Sequence, residues 1–324
     1  MNERSLISEL TKDADRTASE LLLYKLTNSL DQEVPSLRPS RMKFIHYTSL
    51  AGFYGITESA RLRFTSARST NDPSEFLFGE NVVAEALKQL ASREGGRSRE
   101  IVESCVREFP TRTFQPFVFC MSEVSDDEEE TVGELSQWRL YGSDGRGIAM
   151  VFDVSQADMM VRLRDFASYP RRVVYGEAEG ADLVEAEVRD FLVKLADSGE
   201  ADNFEPQQLG SYLGNKVFWL PSVIKHKAYR HEREVRLIRG DIGEHVGNPL
   251  VFFEKHGVQR PSIERSISEI VGDPPNERHR SPICRVIVGP SSDQSAIEDS
   301  IRYFLAARRW EVPITRSDIP YRAI

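Results

Sequence analysis

The chain has 324 residues, 40% of them hydrophobic and 29% charged, an ordinary balance for a globular protein that buries a core. Lysine and arginine number 42 against 51 acidic residues, a net charge of −9, which argues against broad electrostatic binding to duplex DNA or an anionic membrane. The three cysteines, Cys105, Cys120 and Cys284, are far apart and form no CxxC or zinc spacing, so no metal site is expected and a reducing compartment is.

The first residues, Met1-Asn2-Glu3-Arg4, show no signal-peptide pattern, and no apolar run approaches the roughly 20 residues of a membrane helix. A cytoplasmic protein without membrane association is therefore expected. Leu6, Leu10, Ala14, Ala18 and Leu21, continued by Leu22, Leu26 and Leu30, step at helical spacing over residues 3–30. Pro35 and Pro39 then suggest a linker. Residues 1–40 are accordingly read as an N-terminal helical arm, packed on the main domain or mediating a homo-oligomer or partner contact, and residues 41–324 as the main domain.

Within the main domain, Phe44-Ile45-His46-Tyr47 reads as a strand, and Ser49 as the cap of a helix reaching about Ser59. Leu62-Arg63-Phe64-Thr65 is a second strand. Asn71-Asp72-Pro73 starts a helix through Phe76, Val82, Val83 and Leu87 towards Ala91, and another covers residues 99–108. Residues 117–121 are a strongly apolar strand. The acidic run Asp126-Asp127-Glu128-Glu129-Glu130 reads as a mobile surface loop, with a gating role as the alternative. A short helix over residues 136–141 ends at Gly142, and a strand covers 147–152. Helices are predicted over 157–165 and 181–196, with a strand at 172–175, and over 207–224 with an interruption at Pro221. Residues 232–238 alternate as a strand, with Glu232, Glu234 and Arg236 on one face and Arg233, Val235 and Leu237 on the other. Strands at 250–253 and 283–288 and a helix over 293–308 complete the order. This succession fits α+β with a central, partly antiparallel sheet and flanking helices.

The usual nucleotide signatures are missing. No Walker A sequence occurs, and Gly142-x-x-Gly145-x-Gly147 lies after a helix and before a strand, the reverse of a dinucleotide fingerprint. Gly289-Pro290-Ser291-Ser292 lies between a strand and a helix, where an ordinary cap by Ser292 or Asp293 accounts for it. Four polar clusters stand out instead: His46-Tyr47-Thr48; Asn71-Asp72-Pro73-x-Glu75; Cys120-Met121-Ser122 through Ser136-Gln137-Trp138-x-x-Tyr141-Gly142; and Glu232-x-Glu234-x-Arg236.

Together, from about residue 43 to the closing Ser317-x-Ile319-Pro320-Tyr321-Arg322, these clusters resemble a bacterial family, domain-of-unknown-function family 2971. That family is in turn similar to the ADP-ribosyltransferase superfamily, which splits NAD at the nicotinamide–ribose bond. The superfamily pattern is a His or Arg on the first strand, a Ser or Tyr in the middle and a Glu on a later strand; His46, Tyr141 (or Ser122) and Glu234 (or Glu232) follow that order. The middle Ser-Thr-Ser form is replaced by Cys120-Met121-Ser122. The resemblance implies a split sheet of ADP-ribosyltransferase type and NAD as substrate. It also implies Glu234, Glu232, His46 and Tyr141 as catalytic residues, with Tyr47, Thr48, Ser122, Trp138, Asn71 and Glu75 joining His46 and Tyr141 in binding NAD. Glu234 would carry catalysis and Glu232 would position an acceptor, protein or nucleic acid, in a toxin or anti-phage defence setting; without an acceptor, the reaction is NAD glycohydrolysis.

Breaking an N-glycosidic bond to a cationic leaving group needs a carboxylate near an oxocarbenium-like transition state, a group on the ribose and an aromatic flank, and requires no metal. The same residues have plainer readings. His46 fits a hydrogen-bonded strand end, Tyr141 and Trp138 fit core aromatics, and the 232–236 triplet fits an ion-pair ladder with Lys225 or Arg230. A non-catalytic nucleotide- or nucleic-acid-binding module of a defence or regulatory complex is the alternative function. A nuclease would need metal-binding carboxylates, for which Asp72 and Glu75 are a poor start.

Overall fold

The computed structural model describes residues 35–70, 73–109, 116–155, 168–240, 250–255, 257–267 and 283–321. The expected arm over residues 3–30, the cap residues Asn71 and Asp72, the helix expected at 157–165 and Arg322 lie outside them.

In chain order the elements are β1 (Lys43–Thr48), α1 (Leu50–Ser59), β2 (Arg61–Ser66), α2 (Pro73–Arg93), α3 (Gly96–Glu108) and β3 (Pro116–Glu123). There follow α4 (Glu129–Val132), α5 (Leu135–Leu140), β4 (Ile148–Asp153), β5 (Arg171–Arg172), β6 (Val174–Tyr175), α6 (Glu177–Ser198) and α7 (Pro206–Val217). The chain closes with β7 (Ile224–Lys225), β8 (Glu234–Gly240), β9 (Val251–Lys255), β10 (Val258–Ser266), β11 (Ile283–Val288), α8 (Gln294–Ala307) and β12 (Ile314–Arg316). The architecture is mixed α+β. Ten strands form one sheet in the order β12-β11-β4-β1-β3-β2-β10-β9, with β8 and β5 joined through β3. All its pairings are antiparallel except β11 with β12.

The sheet forks at β3. One edge of β3 pairs with β8 along residues 116–122. The other edge is shared: Ser122 and Glu123 meet β1 at Ile45 and Phe44, while Phe117 and Val118 meet β2 at Ser66 and Thr65. Among the described pairings, residues 119–121 have no strand on that second edge. A backbone carbonyl left there needs another donor, and His46 supplies it, its Nδ1–H donating to the Cys120 carbonyl at 2.9 Å.

One face of the sheet carries Phe44, Phe64, Phe119, Met150, Val235 and Val286, and packs on Phe53 of α1 and Ile301 and Leu305 of α8. The opposite face has two separate covers. Over β1 and β4, Ile45, Tyr47, Ala149 and Val151 pack beneath Trp138 of α5. Over β3 and β8, Val118 and Ile238 meet a layer built from α2, α3, α6 and α7. The gap between these covers lies above the fork. This alternation of side chains, one row to each core, is what a strand with period two imposes.

Several expectations need correction. The helix expected over 207–224 stops at Val217; a 3-10 turn at Leu220–Val223 follows, and β7 pairs with β6 as a small parallel sheet. Pro221, which lacks an N–H, ends the α-helical ladder. The strand expected over 172–175 is divided, Arg171–Arg172 joining β8 and Val174–Tyr175 joining β7. The acidic run is a surface loop only in part: Asp126, Asp127 and Glu128 are exposed, but a short helix begins at Glu129. Glu129 is buried, accepts from the Ser125 backbone N–H at 2.7 Å and pairs with Arg233, while Glu130 holds Lys43 at 2.7 Å. Residues near the expected linker also pack on the domain: Leu37 is buried in the helical core and Ser40 donates to Glu123 at 2.6 Å.

Candidate active site

A cleft of about 560 Å³ occupies the gap above the fork, within the roughly 300–1,000 Å³ typical of small-molecule sites. It is lined by His46, Tyr47, Thr48, Glu75, Ser122, Tyr141, Glu232 and Glu234, so eight of the expected site residues share one surface. Asn71 is not among the described residues. Trp138 lies elsewhere: its indole is fully buried, donates to the Val132 carbonyl at 3.0 Å and stands edge-on to Tyr47 at 5.0 Å. Gly133 and Gly142 make room for that ring, since a β-carbon at either would come within 2.6 Å of it. Trp138 thus shapes the cover over β1 and does not line the cleft.

His46 reaches the cleft through the fork. It belongs to the row of Phe44 and stacks on Phe119 at 4.5 Å, on the face opposite to Glu234 and Arg236. That no described strand pairs with residues 119–121 on this edge is what lets an imidazole from one row and carboxylates from the other line the same space. Tyr47 accepts from the Glu134 backbone N–H at 2.8 Å, tying the start of α5 to β1. Tyr141, just past the end of α5, donates to Glu232 Oε1 at 3.1 Å. Burial first, and the Glu232 charge second, hold the Tyr141 phenol above its ordinary pKa, so it remains a donor.

The floor is a buried charge cluster. The Lys225 ammonium lies 3.1 Å from Glu75, 2.6 Å from Glu232 and 3.1 Å from Glu234. Arg236 grips Glu234 with two bonds of 2.8 Å, reaches the Ser222 carbonyl at 2.5 Å and pairs with Glu75. Two cations face three carboxylates, a formal balance of −1. Burial alone would raise the Glu234 pKa; Arg236 and Lys225 overcome it and hold the carboxyl at about 2. Burial likewise opposes the Lys225 charge, but Glu234, Glu75 and Glu232 keep its pKa above 10.5. The ion-pair reading with Lys225 therefore describes this floor, and Arg230 instead pairs with Glu179 at the surface.

Glu232 is not on the strand, as the alternation suggests. It ends a 3-10 turn at Lys227–Glu232, and Arg233 adopts a left-handed φ of 44° before β8 begins at Glu234. The turn still delivers both carboxylates to Lys225 from neighbouring positions. Sequence reasoning left Arg63, Thr65, Phe253 and Arg260 out of the site, though all four line the cleft. The alternation Arg61-Leu62-Arg63-Phe64-Thr65 carried that signal for β2, with the polar row facing away from the core.

Among the described residues, no group of three or more His, Cys, Asp or Glu side chains is placed to hold a metal ion, and no helix is long and apolar enough to cross a membrane. The protein is thus of the α+β class, with a polar cleft where an antiparallel sheet forks. The family model described as "Protein of unknown function (DUF2971)" matches residues 137–237, the segment bearing Tyr141, Lys225, Glu232, Glu234 and Arg236. His46, Thr48 and Glu75 lie outside the matched stretch. No curated protein and no solved structure matches the chain.

Proposed function

We propose that the cleft splits NAD at its nicotinamide–ribose bond, transferring ADP-ribose to an acceptor or to water. The observation that carries this reading is the meeting of His46, Tyr141, Glu232 and Glu234 at one opening of the sheet. In the reaction the bond from ribose C1′ to the pyridinium nitrogen breaks, and its electron pair leaves with neutral nicotinamide. The ribosyl cation is captured by an acceptor O–H or by water, and the proton released passes to a carboxylate and then to solvent. A floor with net charge −1 favours the developing cation. His46, whose Nδ1–H donates to the Cys120 carbonyl, stands at the opening as the ribose anchor. Tyr141 flanks nicotinamide and orients Glu232.

A second reading has its own support. Glu234 already receives Arg236 twice and Lys225 once, which leaves its oxygens well satisfied and suits a module that binds a nucleotide without cleaving it. Incubating the purified chain with NAD and measuring nicotinamide separates the two. Release that is lost in Glu232→Gln or Glu234→Gln, each shown by its melting curve to be folded at the assay temperature, supports cleavage. No release from the native chain, together with saturable NAD binding, selects the binding module. A role in toxicity or phage defence would be an extension of the first reading.

A further inference from the structure

The cover over β1 and β4 carries one buried polar side chain that the fold leaves unsatisfied. Gln137 of α5 is 3% exposed and lines the cleft. Its backbone groups are engaged: the N–H donates to Glu134 at 3.0 Å and the carbonyl accepts from the Tyr141 N–H at 2.9 Å. Its side-chain Nε2 is buried and has no hydrogen-bond partner among the described residues. The polar groups beside it are provided for, Trp138 donating to the Val132 carbonyl and Tyr141 to Glu232. A buried donor without an acceptor costs about 1–3 kcal/mol, a cost that an apolar side chain at this position would avoid. Gln137 and Tyr141 are four residues apart, so their side chains fall on one face of the turn, and both line the cleft.

We propose that Gln137 is the specificity residue of the cleft, pairing its carboxamide with the carboxamide of a neutral, flat ring seated against Tyr141. The inference deepens the proposed function, in which that ring is nicotinamide, and its binding half stands without cleavage. A side-chain amide holds two N–H donors and an acceptor oxygen, and a half-turn of the group exchanges their places. Two amides can therefore meet edge to edge, each donating to the carbonyl of the other. An acid in place of the ligand amide loses its donors and brings a negative charge into a cleft whose floor already carries a formal −1. A site built to hydrogen-bond a group rejects the analogue that lacks it, because its own polar atoms are then left unpaired. The ligand class is thus a pyridine carboxamide, and the corresponding acid is excluded.

The test titrates the full chain with nicotinamide, 3-methylpyridine and nicotinate, followed through the NMR signals of the ligands. Nicotinamide is expected to bind at least about tenfold more tightly than nicotinate and than 3-methylpyridine, which keeps the ring and lacks the amide. Gln137→Met, of similar length, should lower the affinity for nicotinamide to that for 3-methylpyridine. Because 3-methylpyridine is neutral, this comparison separates the amide from the charge of the floor. The smaller Gln137→Leu serves if Gln137→Met fails to fold, and the comparison of ligands on the native chain needs no variant. Equal affinities for nicotinamide and 3-methylpyridine, a preference that survives in the folded variant, or no binding of nicotinamide by the native chain overturns the assignment. Gln137-dependent binding of nicotinamide with no nicotinamide release from NAD keeps the assignment and removes the cleavage reading. Release from NAD with a rate and KM untouched by the Gln137 substitution does the reverse.

Discussion

Replacing Lys225 with methionine removes the ammonium that lies within 3.1 Å of Glu75, Glu232 and Glu234 and changes the formal charge of the floor from −1 to −2. Breaking a buried ion pair on one side costs about 3–5 kcal/mol, because the remaining charge stays desolvated. Proton uptake limits that penalty: neutralising one glutamate of ordinary pKa near 4.5 at pH 7 costs about 3 kcal/mol at roughly 1.4 kcal/mol per pH unit. The expected loss at pH 7 is therefore about 3 kcal/mol, or roughly 10 °C in melting temperature at about 2–4 °C per kcal/mol. The sign with pH follows. In the variant a folded-state carboxyl has its pKa raised above the unfolded value, so the folded state binds more protons and the deficit shrinks as pH falls from 8 to 5. Adding Glu232→Gln restores the floor to −1 and should recover most of the loss. Thermal melts followed by circular dichroism at pH 8 and pH 5 measure all three. A Lys225→Met chain that melts within about 2 °C of the native one at pH 8, a deficit independent of pH, or a double variant weaker than the single one would refute the charge argument.

Glu234 should make the native fold acid-sensitive. Its folded-state pKa of about 2 lies below the ordinary 4.5, a difference worth about 3 kcal/mol that is present above pH 4.5 and lost as pH falls towards 2. Glu234→Gln should flatten that acid transition, and an unaltered transition would show that the carboxyl is not held this way. Tyr141→Phe keeps the ring but removes the 3.1 Å bond to Glu232; we expect about 1–2 kcal/mol of stability lost and a clear fall in nicotinamide release, and unchanged release would take Tyr141 out of the reaction. Two glycines should respond in opposite directions to alanine. At Gly147 a β-carbon would sit 2.3 Å from the Thr48 carbonyl and 2.7 Å from the Gly142 carbonyl, both backbone atoms that cannot move aside, for a loss of at least about 1–3 kcal/mol. At Gly55 in α1 nothing lies within 4 Å, and the gain should be about 0.5–1 kcal/mol; equal melting temperatures for the two variants would contradict the packing described at the end of β1.

Where structure depends on neighbours along the chain, the sequence was readable. Ser49 does cap α1, accepting from the Gly52 N–H at 3.0 Å, and the apolar runs of β3, β4 and β11 and the stripe of α8 lie where their periods put them. The polar clusters that line the cleft were also visible as unusual groupings. Elements defined by a distant partner were not. β10 and β12 have weak patterns of their own and exist because β2, β9 and β11 pair with them. Nor does local pattern reveal that Glu129 is buried, because its charge is compensated by Arg233, 104 positions away.

The sequence alone determined which faces of the strands are apolar, where most helices begin, and which titratable groups the chain has to place. The tertiary structure decided that β3 shares one edge between β1 and β2, and with it the opening through which His46 meets the glutamates. It also set the state of those glutamates, since Glu75 and Arg236 are 161 positions apart. Side-chain periodicity is a property of a few consecutive residues, whereas strand pairing and charge compensation in a dry interior depend on groups that folding alone brings within a few ångströms.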